Sequence, residues 1–253
     1  MKSSQELLED FKKDFFAEYD NTEMCSVLAD KRHIFTDEKM PAVFYKYERA
    51  PRTVKKTEGD FLETSNYASR NVTPVQIGGI FNLREDFTEN TFLPDEMARY
   101  FVEEEYKAVI AGLNSYAGIS INARKKGVLS VEDVWKAFLE HARNGANADS
   151  IIVPLKQKTQ LLIDGKILPP RFRSSDPDNE RIPMYYAGQI GTINTYWARF
   201  IEDFSLVFER EEILIHRTPF EISFDVQEKP KLTLKEWFAC APTFDEAVAK
   251  INL

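Results

Sequence analysis

The hydrophobic pattern is clearest between residues 73 and 113, where an apolar extended segment leads into a long amphipathic helix. Residues 74–83, which read PVQIGGIFNL, predict a mostly buried strand. Asn90, Thr91 and Pro94 then signal the start of a helix. Its apolar residues recur at helical spacing and form one buried stripe: Val102, Tyr106, Val109, Ile110 and Leu113. We expect its solvent side to carry Glu96, Glu103, Glu104 and Glu105. The pattern indicates a scaffold element rather than a catalytic one.

A second amphipathic pattern covers residues 4–19. Its apolar side carries Leu7, Leu8, Phe11, Phe15, Phe16 and Tyr19. A terminal helix of this kind either docks on its own domain or binds a neighbouring subunit or another partner. In both interpretations we expect it to make contacts through Leu7, Leu8, Phe11 and Phe15.

The region from 31 to 71 is polar and has little helical periodicity. Strand-like pieces occur at residues 33–35, 42–47 and 61–62. A long excursion with few core residues is more often functional or shared with a partner than part of a compact core.

A new unit follows the glycines at 112 and 118. Ser130 and Asp133 form a capping-box pattern at the start of a helix, and Gly145 is its expected C-terminal cap. The apolar stripe of this helix is predicted to contain Val131, Val134, Trp135, Phe138, Leu139 and Ala142.

The remaining chain predicts a βα unit and then mostly strands. Residues 148–153 suit a buried strand, and Pro154 opens a helix that ends before Gly165. Residues 169–183 are turn-rich. Strand patterns then cover residues 184–187, 204–208, 212–216, 220–226 and 232–239, and Thr243 with Glu246 predicts a short closing helix.

The composition describes an ordinary soluble globular protein, with 43% hydrophobic and 29% charged residues. A net charge of -8 argues against binding nucleic acid or anionic membranes over the whole surface. Cys25 and Cys240 do not make a disulfide framework, which favours a reducing compartment. The N-terminus lacks the apolar core of a signal peptide, and no apolar run approaches the roughly 20 residues of a membrane span, so we expect a cytosolic protein.

Local charge is uneven, however. From residue 46 to 56 the charges sum to +4, with the basic residues Lys46, Arg49, Arg52, Lys55 and Lys56. From residue 84 to 105 they sum to -6. In one interpretation these are two solvated faces that never meet. In the other, the basic segment of one copy lies over the acidic helix of the next and sets the register of an assembly.

The sequence predicts no catalytic residue, no metal ligand and no cofactor site. The histidines at 33, 141 and 216 form no metal-binding pair, and no phosphate loop, dinucleotide fingerprint or nucleophile elbow occurs. Gly188 and Gly191 indicate a turn more than an anion site. Residues 176–180 only partly match a calcium loop. The adjacent acids Glu211 and Glu212 do not define a glycosidase site by themselves.

The order of elements resembles that of the HK97-like major capsid proteins of tailed phages and the related encapsulin shells. Three local stretches are similar to strands of that family: residues 147–154 (NADSIIVP), 203–215 (DFSLVFEREEILI) and 237–243 (WFACAPT), the last followed by Ala247 and Val248. The resemblance covers nearly the whole chain.

The resemblance implies an α+β, HK97-like capsid fold. Residues 1–30 would be an N-terminal arm and 31–70 an extended β-hairpin loop. Residues 71–116 and 225–253 would form a peripheral domain with a long spine helix, and 117–224 an axial α/β domain. The apolar stripe of the spine helix would then pack on residues 232–239.

The implied function is a structural major capsid protein that is not an enzyme and needs no cofactor. Its partners would be copies of itself in pentamers and hexamers, scaffold, portal or decoration proteins, and viral DNA bound without sequence specificity, but no membrane. It would reside in the virion after assembly in the host cytoplasm. Two alternatives are an encapsulin-like compartment and, from another class, a soluble α/β enzyme that uses scattered carboxylates.

Overall fold

The computed structural model describes residues 4–29, 31–34, 42–47, 67–83, 93–169, 184–225 and 231–253. In this part of the chain the helices are α1 (Ser4–Thr22), α2 (Cys25–Leu28), α3 (Leu93–Ser115), α4 (Val131–Arg143) and α5 (Leu155–Ile163). The strands are β1 (Lys31–Ile34), β2 (Ala42–Tyr47), β3 (Tyr67–Val72), β4 (Val75–Asn82), β5 (Ile119–Asn122), β6 (Ser150–Pro154), β7 (Tyr186–Ile190), β8 (Ile193–Ala198), β9 (Phe204–Phe208), β10 (Ile213–Arg217), β11 (Glu221–Asp225), β12 (Lys231–Pro242) and β13 (Val248–Asn252).

The first sheet is organised around β12. One edge of β12 pairs antiparallel with β4, and its other edge pairs antiparallel with β11 and then β10, to which β1 adds in parallel. The buried face of β12 holds Leu232, Leu234 and Phe238, because alternate residues of a strand point to the same side.

Helix α3 packs on this face, as predicted for the spine helix. Its stripe of Val102, Tyr106, Val109, Ile110 and Leu113 is buried throughout. The helix comes closest to β12 at Gly112. A Cβ added there would lie 2.5 Å from the carbonyl oxygen of Cys240, which is closer than van der Waals contact allows. Pro94 lies in the first turn of the helix, where its missing N–H costs nothing.

The strand before α3 differs from its prediction. β4 lies at an edge of the first sheet, and only Ile77 among its apolar side chains is fully buried, whereas Val75 and Ile80 are exposed. The helix covers one face of the strand and leaves the other to solvent, so the apolar run does not make a mostly buried strand.

The second sheet has the order β5-β13-β9-β6-β8-β7. Helices α4 and α5 pack on it, and Val134, Ala137 and Leu161 join its core. The capping box is confirmed: Asp133 N donates to Ser130 Oγ at 3.2 Å, and Ser130 N donates to the Asp133 carboxylate at 3.1 Å.

The predicted stripe of α4 is partly wrong. Trp135 and Leu139 are 42% and 52% exposed. The buried side of the helix is centred on Val134, Ala137 and His141, and each residue step turns the side chain by roughly 100°. Trp135 and Leu139 therefore lie beside the buried stripe and not in it.

The end of the chain also differs from its prediction. Residues 245–247 form a single 3₁₀ turn without a side-chain cap, and the Thr243 hydroxyl donates to the Glu212 carboxylate instead. The alanine-rich tail continues as β13 between β5 and β9, where Val248, Ala249 and Ile251 are buried. Lys250 and Asn252 alternate with these apolar residues, so the local pattern alone does not show that the strand lies inside a sheet.

Each sheet contains strands from both of the ranges that the resemblance implies for the peripheral and axial domains, and the domain boundaries themselves stay a prediction. β10 and β11, placed by the resemblance in the axial unit, belong to the first sheet with β12. β13, placed in the peripheral unit, belongs to the second sheet.

The polar excursion contains a β-hairpin. β2 and β3 pair antiparallel from Ala42 and Val72 to Tyr47 and Tyr67. β1 covers most of the first strand-like piece. The piece at residues 61–62 lies outside the described residues, as does the turn-rich stretch 170–183.

Candidate functional site: the spine helix and the segments docked on it

The arm, residues 4–29 with α1 and α2, docks on α3 of its own chain. Phe15 is fully buried, and its ring meets Phe101 of α3 edge to face at 6.1 Å between centroids. The Phe11 ring lies 5.4 Å from that of Phe224. Of the four residues predicted to make arm contacts, Phe11 and Phe15 make theirs within the subunit. The other two, Leu7 and Leu8, are half-buried.

Three acids of the predicted solvent side of α3 do reach its surface. Glu96 is exposed, and Glu103 and Glu104 are half-buried. Glu103 pairs with Arg199 and, at 3.2 Å, with Lys107. Lys107 also binds Glu104 at 2.6 Å.

These ion pairs act on the acidity of Glu103. Burial raises the pKa of its carboxyl, but hydrogen bonds from Arg199 and Lys107 outweigh burial, so the pKa is lowered from its usual value. Glu103 is therefore charged and already neutralised within its own subunit.

Glu105 is a correction to the sequence prediction. It is fully buried, not solvent-facing. It lies four residues after Phe101 and four before Val109, and residues at this spacing share one side of a helix. Three consecutive glutamates span roughly 200° of a helix, and here the third lies on the buried side with Phe101 and Val109.

The basic segment is largely outside the described residues. Lys46 belongs to β2, where only the backbone is described. Arg49, Arg52, Lys55 and Lys56 lie outside the described part of the chain. The predicted contact between this segment and a neighbour's spine helix stays a prediction.

The base of the hairpin is anchored to the end of β12. The Arg70 guanidinium pairs with Asp245, donates to the Pro242 carbonyl at 3.4 Å and lies 4.3 Å from the centroid of the Tyr116 ring. Val72 is buried beside it. Sequence reasoning missed this anchor, because its members are distant along the chain.

A buried polar cluster joins the arm to the spine helix and the first sheet. Glu105 accepts hydrogen bonds from the Tyr19 hydroxyl and, at 3.5 Å, from the Cys25 thiol. Arg217, at the end of β10, donates to the Tyr19 hydroxyl at 2.6 Å and pairs with Glu105 at 3.7 Å. Glu236 of β12, which is 1% exposed, completes the cluster.

Glu236 faces the carboxyl of Glu105. Neither Glu236 oxygen receives a hydrogen bond from another donor. Burial first, and then the charge of Glu105, raises the pKa of Glu236 well above its usual value. Burial likewise raises the pKa of Glu105. Burial and the neighbouring charge of Glu105 therefore favour the protonated form of Glu236.

The sequence itself carries a signal of this cluster. The alternation that buries Leu234 and Phe238 of β12 places Glu236 on the same face. A charged residue in a core position of each of two packed elements points to a buried pair, since buried charges are almost always paired.

The other candidate groups play structural roles. Gly191 has a positive φ of 62° in the turn between β7 and β8, as predicted, whereas Gly188 lies within β7. Glu212 accepts the Thr243 hydrogen bond, and the partial calcium loop lies outside the described residues.

In the described ranges no group of three or more histidine, cysteine or acidic side chains could hold a metal. The described helices include none that is long and apolar enough to cross a membrane. Both cysteines are buried and free.

No protein-family model matches the chain, and no curated protein sequence matches it. Solved structures do match. The virus-like particle from Pyrococcus furiosus is 11% identical, with a TM-score of 0.64 over 96% of this chain and 98% of that chain. The capsid of the cyanophage P-SCSP1u is 10% identical, with a TM-score of 0.56 over 88% of this chain and 85% of that chain.

The SrpI encapsulin of a holo complex from Synechococcus elongatus is 8% identical, with a TM-score of 0.55 over 87% of this chain and 84% of that chain. Similarity at this level of identity concerns the fold. The chain therefore has the HK97-like fold of capsid and encapsulin shell proteins, as the order of its elements predicts.

Proposed function

We propose that the chain is a structural shell protein that assembles with copies of itself into a closed icosahedral particle. The observation that carries the proposal is the extent of the fold similarity, which reaches 96% of this chain and 98% of the virus-like particle protein. Coverage of this extent goes well beyond one common sheet.

Assembly is tested directly on the purified full-length protein. Light scattering and negative-stain electron microscopy should show closed particles of uniform size. Monomers alone, over a range of salt, pH and protein concentration, would contradict the proposal.

The proposed content is viral DNA, held without sequence specificity in a virion capsid that assembles in the host cytoplasm. Similarity to capsids of phages supports it. Pentamers and hexamers would be the building units, and scaffold, portal or decoration proteins the partners. Particles from the source cells should then contain DNA that resists nuclease.

The main alternative is an encapsulin-like compartment, which the similarity to the SrpI encapsulin favours. Particles would then copurify with a cargo protein in place of nuclease-resistant DNA. Mass spectrometry of the purified particles distinguishes the two contents.

We propose no catalytic role. The strongest candidate for an enzyme with scattered carboxylates would be the pair of Glu105 and Glu236. Their side chains are 0% and 1% exposed beneath the docked arm, so no substrate reaches them in this conformation.

The contact between subunits follows from the opposite charges of +4 and -6 in the two segments. We place the basic segment of one copy against the acidic face of the next, which Glu96, Glu103 and Glu104 form. Lys107 and Arg199 already hold Glu103, so the contact is expected to extend a charge network rather than to neutralise bare acids.

Charge reversal tests this contact. The variant K46E/R49E/R52E should assemble more slowly or to a smaller extent, and E96K/E103K/E104K in the same chain should partly restore assembly. The control R124E/K125E/K126E reverses three consecutive exposed basic residues elsewhere. Equal loss in the control, or no restoration, would overturn the contact and leave the fold and the shell function untouched.

A further inference from the structure

The buried polar cluster has more acid than its cation can balance. Arg217 carries one positive charge, and Glu105 and Glu236 are two carboxyl groups. Burial raises the pKa of both Tyr19 and Cys25 well above the ordinary values, so these two groups are neutral donors. With both carboxyls ionised, the cluster would hold an unbalanced negative charge out of water, which is costly.

We propose that the carboxyl pair of Glu105 and Glu236 is a proton-dependent latch for the arm: the shared proton keeps residues 4–29 docked, and its loss favours their release. The inference concerns one subunit and does not depend on the proposed particle.

The geometry places the pair where the arm is held. Tyr19 of α1 and Cys25 of α2 both donate to Glu105, and Arg217 reaches the Tyr19 hydroxyl from the sheet side. Release of the arm would expose the pair to water, where both carboxyls can ionise without penalty. Docking and protonation are therefore coupled through the same groups.

The charged groups that act on the pKa of Glu236 lie on α3, in the arm and on β10. Glu105 on α3 and Glu23 after α1 raise its pKa, and Arg217 on β10 lowers it. Neighbouring β4 has no titratable residue. On the other neighbour, β11, Glu221 is paired with Lys235 at 2.9 Å, and alternation directs Lys235 to the opposite face of β12 from Glu236.

The direction of the effect follows from the raised pKa. Below the ordinary value of 4.5 a glutamate is protonated whether the arm is docked or released, and docking is strongest. Above that value the released state gives up a proton that the docked state keeps, so docking weakens as pH rises toward the raised pKa. For one proton the opening equilibrium rises about tenfold per pH unit.

Hydrogen–deuterium exchange of the full-length protein measures this opening. Peptides from residues 5–29 should show an opening equilibrium that rises by up to about tenfold per pH unit as pH increases above the ordinary glutamate range, after correction for the intrinsic exchange rate. Peptides from β6 and β9 of the second sheet are the internal reference and should show no such rise.

The variant E236Q replaces the proton-sharing acid with a neutral group of the same shape. Its arm should stay protected across the pH range, whereas the control E246Q, at an exposed position, should behave as the wild type. A wild-type arm whose opening does not change with pH would overturn the latch. So would the same pH dependence in E236Q.

An infrared titration of the wild type keeps the test independent of any variant. A protonated carboxyl band should persist at pH values above the ordinary glutamate range and should disappear over the same interval in which the arm opens. Absence of that band would contradict the shared proton.

Discussion

At the scale of residues, the informative positions are acids in places that pattern assigns to the core. Glu105 has the helical spacing of Phe101 and Val109, and Glu236 has the strand alternation of Leu234 and Phe238. A run of glutamates in the sequence suggests a solvated face, yet the third glutamate turns inward. The position of an acid relative to the apolar residues of its helix or strand decides whether it is buried, and the number of acids in the segment does not.

Substitutions at Glu104 and Glu105 distinguish the surface glutamate from the buried one. Glu105→Gln should lower the free energy of unfolding by roughly 2–3 kcal/mol, because the partly exposed Arg217 would keep only Glu23, at 3.9 Å, as a charged partner. Glu104→Gln should change it by less than about 1 kcal/mol, as for other pairs near the surface. Denaturant unfolding of both variants measures the difference. Equal effects would place Glu105 at the surface after all.

At the scale of elements, the arm is held by one aromatic face. Phe15 is fully buried among Tyr19, Phe101 and Phe220, whereas the next residue, Phe16, is 37% exposed. The arm is therefore an integral layer of the first core and not an appended tail.

The neighbouring phenylalanines provide a matched test of arm docking. Phe15→Ala should cost about 3–5 kcal/mol, the usual range for a buried phenylalanine. Phe16→Ala should cost about 1 kcal/mol or less, because much of its ring is already in water. Thermal unfolding combined with limited proteolysis of the arm checks both values. A larger loss for Phe16→Ala would mean that the exposed side of the arm makes the important contact.

Elements with a strong local pattern could be predicted from the sequence. The buried stripe of α3 and the Ser130 capping box depend on near neighbours in the chain, and both are confirmed. β13 and the edge position of β4 could not be read from local pattern. Their burial depends on which distant strand lies beside them, and a short apolar run suits a strand, a helix or an exposed edge.

At the scale of the whole molecule, α3 links the two sheets. Its Tyr106 ring stacks on Tyr185 at 4.7 Å, and its hydroxyl donates to the Trp197 carbonyl at 3.2 Å. The C-terminal segment adds a second link, since β12 lies in the first sheet and β13 in the second. This exchange of strands could not be predicted from element order, because the order along the chain does not specify which sheet each strand joins.

Two of the buried ionisable groups, Glu236 beside the first sheet and His141 beside the second, respond to pH in opposite directions. Rising pH disfavours the shared proton of Glu236 in the first sheet. In the second, His141 is buried with Nε2–H donating to the Val207 carbonyl at 3.1 Å, while Nδ1 has no partner. Burial lowers the pKa of His141 from 6.5 to about 4, against the raising effect of the Val207 hydrogen bond.

Acid should therefore weaken the second sheet through His141. The unfolded chain takes up a proton near pH 6.5 and the folded chain only near pH 4, so this stabilisation is present above pH 6.5 and is lost as pH falls. The loss amounts to about 3 kcal/mol. His141→Gln keeps a donor for Val207 but cannot titrate, so its free energy of unfolding should fall less over this interval. His216→Gln, at a half-buried histidine of the first sheet, should retain the wild-type loss. Denaturant titrations at several pH values measure all three proteins, and a wild-type acid response in His141→Gln would contradict the assignment.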